Sequence, residues 1–314
     1  MMRLFLIKSG LVGVLVLAVH VGVAYWAGGH ADAYYVRYAT PKQRSLILGT
    51  SRAAQGVVPE VLNAGLAGVM AQGGVEGPVF NFAFTNLHSP YGEAYLRAIR
   101  RKLEDGTRNG LFILSVDPWS LSVEVGRAGD TSRVREMGLP IQTLECMSCR
   151  PNWEYLMQEY PKMWGHILLQ PWLSPELYLH EDGWLEVDVP MDIKSVAKRT
   201  KEKIAQYEGM AKQYQASAYR MQALERTIAF LKEHGRVVLV RLPVGEGLME
   251  IERGYWSGFS GEMQEVAKVQ GCAFEDFTAS SLSWQFTDGN HLYRESGRAL
   301  SVELGRRVRE YLKE

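Results

Sequence analysis

Three observations predict an α/β chain with a parallel sheet between helical layers: short apolar runs, helical periodicity between them, and glycine or charge at their ends. The runs are Ser45–Gly49, Val79–Ala83, Leu111–Val116, Val237–Leu242 and Ala273–Phe277. None alternates apolar with polar residues, which suits parallel strands buried on both faces rather than half-exposed antiparallel ones. The stretch Tyr91–Glu104, with Ala94, Leu96, Ala98, Ile99 and Leu103, has helical spacing. Strand and helix in alternation imply a doubly wound fold. The predicted class is therefore a three-layer α/β/α sandwich with a five-stranded parallel, flavodoxin-like sheet, preceded by one N-terminal transmembrane helix.

That first helix is read from residues 9–28, a stretch without charge that holds Leu11, Val12, Val14, Leu15, Val16, Leu17, Val19, Val21 and Val23 and ends in Tyr25 and Trp26. Its length matches the roughly 20 residues that span a bilayer, and the aromatic pair suits a headgroup layer. Arg3 and Lys8 precede it, so residues 1–8 are expected in the cytoplasm and the rest across the membrane. A cleaved signal peptide is the competing reading, with Ala31-Asp32-Ala33 resembling a cleavage site; its apolar region would normally be shorter, about 7–15 residues. His20 within the span is read as a tolerated neutral side chain or as a contact with a partner helix.

Residues 29–43 read as a linker carrying Tyr34, Tyr35 and Tyr38, and residues 44–314 as one domain. From about 118 to 190 the strand–helix rhythm breaks. This segment holds Trp119, Trp153, Trp164, Trp172 and Trp184, and is read as an insertion or lid after the third strand. Its aromatics are expected either to stack on sugar rings or to fill the insertion's own small core. Ile193 to His234, rich in Lys, Glu, Gln and Ala and followed by Gly235, predicts one long helix or two in tandem. A final helix is expected over Glu295–Tyr311, with Ala299, Leu300, Val302, Leu304 and Val308 in register.

Composition excludes several classes. Lys+Arg and Asp+Glu both number 35, so no global positive field draws nucleic acid. Three cysteines do not make a disulfide scaffold. Cys146 and Cys149 have CxxC spacing without a second pair, which leaves open a local disulfide or two free thiols, and Cys272 reads as a small buried hydrophobe. No metal-ligand spacing or phosphate-binding glycine loop is found: Glu181-Asp182 reads as a solvated turn, and Gly245-Glu246-Gly247 lacks a third glycine and precedes a poor helical pattern. No cofactor is expected.

Chemistry is concentrated at two distant places. Ser51 follows the first strand through Gly49-Thr50, and parallel sheets present ligand sites at the carboxyl ends of their strands. Gly49 permits a tight turn, and a helix starting there aims backbone N–H groups at a developing oxyanion. Far downstream, Asp288-Gly289-Asn290-His291 sets a carboxylate three residues before an imidazole. Ser, Asp and His in this chain order can supply nucleophile, orienting carboxylate and base. The bland alternative is a serine N-cap and a turn that caps the last helix. His88-Ser89-Pro90 is read as a capping turn near the pocket rim.

The Gly49-Thr50-Ser51 block and the late Asp288-x-x-His291 pair resemble the SGNH hydrolase superfamily, whose nucleophile follows strand one and whose acid and base precede the last helix. The resemblance covers roughly Arg44 to Glu314, apart from the Trp-rich insertion. It implies catalytic Ser51, Asp288 and His291, with oxyanion donors at Ser51 and in the second block, Asn81 to Asn86. Both glycines of that second block are replaced here, and Asn86 is expected to keep the turn and donate. The third block, usually G-x-N-D, is represented by Ser115-Val116-Asp117-Pro118-Trp119 and lacks its Asn. Asn81, Arg52, Trp119 and Trp184 are expected to bind substrate.

A single N-terminal span with these blocks is similar to the membrane-anchored branch that modifies teichoic acid and alginate. That likeness implies an extracytoplasmic serine acyltransferase or esterase in the bacterial inner (cytoplasmic) membrane, its catalytic domain periplasmic or extracellular. It implies action on O-acyl groups of a cell-surface polysaccharide, beside a membrane-bound O-acyltransferase partner. The alternative is an inactive relative that binds glycan or scaffolds such an assembly.

Overall fold

The computed structural model describes residues 2–26, 32–127, 134–159, 168–169, 172, 176–279 and 283–313. Trp164 and linker residues 29–31 lie outside the described residues, as does the side chain of Tyr25.

The chain is α/β, with a five-stranded all-parallel sheet built from β1 (Ser45–Leu48), β2 (Val79–Asn81), β3 (Gly110–Ser115), β4 (Gly235–Arg241) and β5 (Ala273–Asp276). Their order is β2-β1-β3-β4-β5. Each apolar run of the sequence is one of these strands. The ends shift by one or two residues because pairing, not hydrophobicity, sets them: Gly110 pairs with Gly235, and an added Cβ at Gly235 would sit 1.9 Å from the Gly110 carbonyl oxygen.

Side chains of β1, β3 and β4 alternate between two buried clusters, which explains why these central strands show no polar face, whereas the edge strand β5 is half-buried and carries Glu275 and Asp276. Leu46, Leu48, Phe112, Leu114, Val237 and Leu239 pack on one side with Tyr95 and Ile99 of the helix Glu93–Lys102 and Leu224 and Ile228 of the helix Ala218–Lys232. Ile47, Leu111, Ile113, Val238 and Val240 pack on the other with Leu62 and Leu66 of Pro59–Ala71 and Leu300 and Leu304 of Arg294–Tyr311. Burial on both faces offsets the ordering entropy of a sheet that has no solvated side.

The N-terminal helix runs Met2–Trp26, and its Met2–Val23 part is long and apolar enough to cross a membrane. It starts ahead of the uncharged stretch because Arg3 and Lys8 are good helix formers. Val23 is buried in the first cluster, and Trp26 stacks on Trp172 with ring centroids 6.4 Å apart. The end of the helix therefore rests on the domain.

The Ile193–His234 segment is two helices, Ile193–Gln213 and Ala218–Lys232, capped by Asp192 and Ser217. The break is Tyr214–Ala216, which pairs antiparallel with Ser122–Glu124 and so ties the start of the insertion to the helical layer. Contrary to the poor pattern expected after Gly247, Glu246–Tyr255 is helical. Its buried face carries a glutamate, Glu252, beside Leu248 and Met249. Cys146 and Cys149 form a disulfide, settling that alternative. Cys272 is half-buried and free, and burial pushes its thiol up to about 11.

Candidate functional site

The order of strands reverses between β1 and β3, and the crevice at their carboxyl ends is where an open parallel sheet binds ligands. Ser51 lies there, as the first residue of the helix Ser51–Gly56. Gly49 makes the turn with φ +137°, and a Cβ on it would stand 2.7 Å from the Cβ of Ser115. Thr50 does not cap the helix; its hydroxyl donates to Asp117 at 3.0 Å. The first N–H groups of a helix have no intrahelical acceptor, and those of Ser51 and Arg52 stand at the start of this one.

The second half of the site is a closed loop. Phe286 and Leu292 bridge antiparallel, and the Thr287 N–H donates to the His291 carbonyl at 2.9 Å. Asp288 Oδ1 accepts the backbone N–H groups of Asn290 and His291, both at 2.9 Å. Gly289, at φ +79°, turns its carbonyl to the Gly245 N–H at 2.7 Å. From the helix Ile193–Gln213, Arg199 donates to the Thr287 carbonyl at 2.8 Å, and Lys203 lies 3.5 Å from Asp288 Oδ2.

This scaffolding brings Ser51, Asp288 and His291 together. His291 Nε2 is 2.8 Å from Ser51 Oγ, and its Nδ1 is 2.9 Å from Asp288 Oδ2. Burial alone would raise the Asp288 carboxyl. The hydrogen bond and charge of His291, the backbone N–H of His291 and the charge of Lys203 outweigh it and hold the group well below the usual carboxylate range. A carboxylate fixed as an acceptor fixes the imidazole with its proton on Nδ1 and its lone pair on Nε2, facing the hydroxyl.

The remaining expected residues are placed differently. Asn86 sits half-exposed in a turn and lines a shallow cleft with Leu87, Pro90 and Val123, away from the hydrogen-bonding partners of Ser51 and His291. The neighbouring amides are engaged: Ala83 N–H bonds Asn81 Oδ1 and Phe84 N–H bonds the Gly49 carbonyl. Asn81 is fully buried and donates to the Ala53 and Val57 carbonyls at 2.9 and 3.0 Å. It pins the Ser51–Gly56 helix rather than presenting an amide to a ligand. Trp119 and Trp184, each 2% exposed, likewise offer no open ring face. Trp119 stacks on Tyr255 and donates to Glu252 at 3.1 Å, while Trp184 donates to the Gln55 carbonyl at 2.9 Å.

Arg52 is also turned inward. It donates through Nε and Nη2 to Asn290 Oδ1 at 3.0 and 2.8 Å and pairs with Glu252 at 2.6 Å. Glu252 in turn holds Arg241 at 2.9 Å. Burial would lower the Arg52 guanidinium, but the charges of Glu252 and Asp117 hold it above its ordinary range. Asp117, in place of the third-block Asn, acts only as an acceptor here, from Thr50, Trp119 N–H and Ser120 N–H. Burial raises its carboxyl despite Arg52. Glu252, Lys203 and Asn290 went unassigned from sequence. Only Asn290 carried a signal, its place within the Asp288–His291 turn.

Among the described residues no group of three or more His, Cys, Asp or Glu is arranged to hold a metal ion. Comparison with protein-family models, with curated proteins and with solved structures gives no match.

Proposed function

We propose that this chain is a membrane-anchored serine acyl-transfer enzyme of SGNH-like, flavodoxin-like α/β/α architecture. One observation carries the reading: a continuous chain of hydrogen-bond distances from Ser51 Oγ through His291 to Asp288 at the carboxyl edge of the sheet. Ser51 Oγ attacks an acyl carbonyl while His291 Nε2 takes its proton; the imidazolium then returns that proton to the leaving oxygen. Asp288 orients the ring and stabilises its charge. The Ser51 N–H at the helix start is the donor aimed at the oxyanion. The second half-reaction passes the acyl group from Ser51 to a sugar hydroxyl of a cell-surface polysaccharide, or to water in an esterase.

The apolar Met2–Val23 helix supports a single bilayer span, and the Cys146–Cys149 disulfide supports an oxidising compartment for the domain. An outward-facing domain beside a membrane-bound O-acyltransferase follows from that placement and from the superfamily resemblance. Alkaline phosphatase fused to the C-terminus is then expected to be active in intact bacterial cells; activity from a cytoplasmic reporter alone reverses the topology.

The site is tested with a fluorophosphonate probe, which phosphonylates an activated serine. Full-length protein is expected to label, and Ser51→Ala to lose the label. Folded wild-type protein that takes no label points instead to the glycan-binding or scaffolding reading, which is favoured by the lack, among the described residues, of an Asn81 or Asn86 side chain bonded at Ser51.

A further inference from the structure

Nε2 of His291 faces two polar groups, not one. Besides Ser51 Oγ, the Asn290 amide nitrogen stands 3.0 Å away. Which end of that amide faces the imidazole is decided on its other side. Asn290 Oδ1 takes two hydrogen bonds from the Arg52 guanidinium, a group with donors only. Turning the amide over would set its NH2 against those donors, so the nitrogen must point at Nε2. Arg52 is itself fixed by Glu252, which is shared with Arg241 and Trp119. Asn290 and Arg52 are both buried, so water does not compete for these bonds.

We propose that Asn290 is a positioning residue for the base: turned by Arg52, its amide donates to Nε2 of neutral His291 and holds the lone pair on the nitrogen that receives the Ser51 proton. The proposal rests on the acyl-transfer reading for its consequence but not for its test. An N–H donor beside Nε2 favours the unprotonated ring and opposes the imidazolium, whose own Nε2–H would face it. Proton transfer from Ser51 thus creates a donor–donor conflict at Nε2, which is relieved when the proton passes to the leaving oxygen. Asn290 thereby favours the base before attack and the acid after it. The charged and titratable groups around the ring are Asp288 on its own loop, Lys203 and Arg199 on the helix Ile193–Gln213, Arg52 on the nucleophile helix, Glu252 on Glu246–Tyr255, and Asp117 after β3.

The test is an NMR titration of full-length protein in detergent micelles with isotope-labelled histidine; the His291 signal, one of 7 histidines, is assigned by its loss in His291→Gln. Asn290→Ala removes the donor, and the His291 titration midpoint is expected to move upward by roughly half to one pH unit, as for loss of one hydrogen bond to the neutral form. Asn290→Asp keeps the shape but replaces the donor with an acceptor, and the midpoint is expected to move further in the same direction. The acid limb of the fluorophosphonate labelling rate should follow both shifts. Midpoints unchanged or lowered in both folded variants overturn the proposal, since a merely structural Asn290 would depress the rate without moving the titration. Failure of Ser51 to label at any pH, with the midpoints shifted, would instead refute the acyl-transfer reading and leave the contact established.

Discussion

Replacing Asp288 with Asn changes one atom of the site, and its neighbours dictate how the new side chain must lie. Oδ1 accepts two backbone N–H groups, from Asn290 and His291. An amide nitrogen cannot take that place, so the Asn carbonyl occupies it and the NH2 falls where Oδ2 now meets Nδ1 of His291. Nδ1 must then accept, and the ring proton moves to Nε2. There it points at Ser51 Oγ, 2.8 Å away, and at the Asn290 amide. The base is lost through the tautomer, not through displacement of the ring. For an unrelated serine protease the corresponding change lowers turnover by about 10⁴, and the same tautomer inversion here is expected to cost roughly 10³ to 10⁴. The assay is hydrolysis of p-nitrophenyl acetate together with the fluorophosphonate labelling rate, at pH 7 and with folding checked by circular dichroism. Wild-type rates in a folded Asp288→Asn protein would refute the hydrogen-bond reasoning, and a loss as large as that of Ser51→Ala would mean the carboxylate does more than orient.

Asp288 also makes stability depend on pH: its folded carboxyl is held below the unfolded value, so its contribution is present above about pH 4 and is lost on acidification through the folded value. Urea midpoints measured from pH 7 downward should therefore fall less steeply in Asp288→Asn than in wild type. Gly49→Ala combines a left-handed backbone with a Cβ contact of 2.7 Å, and is expected to cost roughly 2 to 5 kcal/mol, read from denaturant unfolding. Lys102 is buried with its ammonium bonded to the Arg37, Thr40 and Met147 carbonyls, and burial holds its amine well below its usual range. Lys102→Met orphans those acceptors and should destabilise by about 2 to 4 kcal/mol; an unchanged melting temperature would show that water replaces the amine.

What the sequence revealed and what it hid follow the range of the interactions involved. β1 to β4 were legible because strands buried on both faces are apolar along most of their length, and that pattern is local; β5, a half-buried edge strand with Glu275 and Asp276, shows it least. Ser51, Asp288 and His291 were legible because each lies at a glycine-marked turn beside a strand or helix end. Asn81 was misplaced: its position at the end of β2 resembles a binding block, but its side chain turns back to the carbonyls of Ala53 and Val57. Nothing local distinguishes an amide that meets a ligand from one that satisfies a helix end. Trp119 and Trp184 failed in the same way, since an indole suits a sugar face and a core equally well.

Arg52 shows the most consequential case. A cation next to a serine at a helix start reads as a contact for an anionic substrate, but its counterion, Glu252, lies two hundred positions away on the buried face of another helix. Once that pair is seen, the electrostatics of the site change sign in meaning. Arg52 is committed to Asn290 and Glu252, Lys203 to Asp288, and Arg199 to the Thr287 and Pro190 carbonyls. These cations serve the machinery rather than the ligand, and each is matched by a carboxylate or a carbonyl dipole. A buried ion pair of this kind contributes little net stability, because desolvation consumes most of its attraction. What it supplies is direction: a guanidinium held at two ends can orient one amide, and that amide can orient one lone pair.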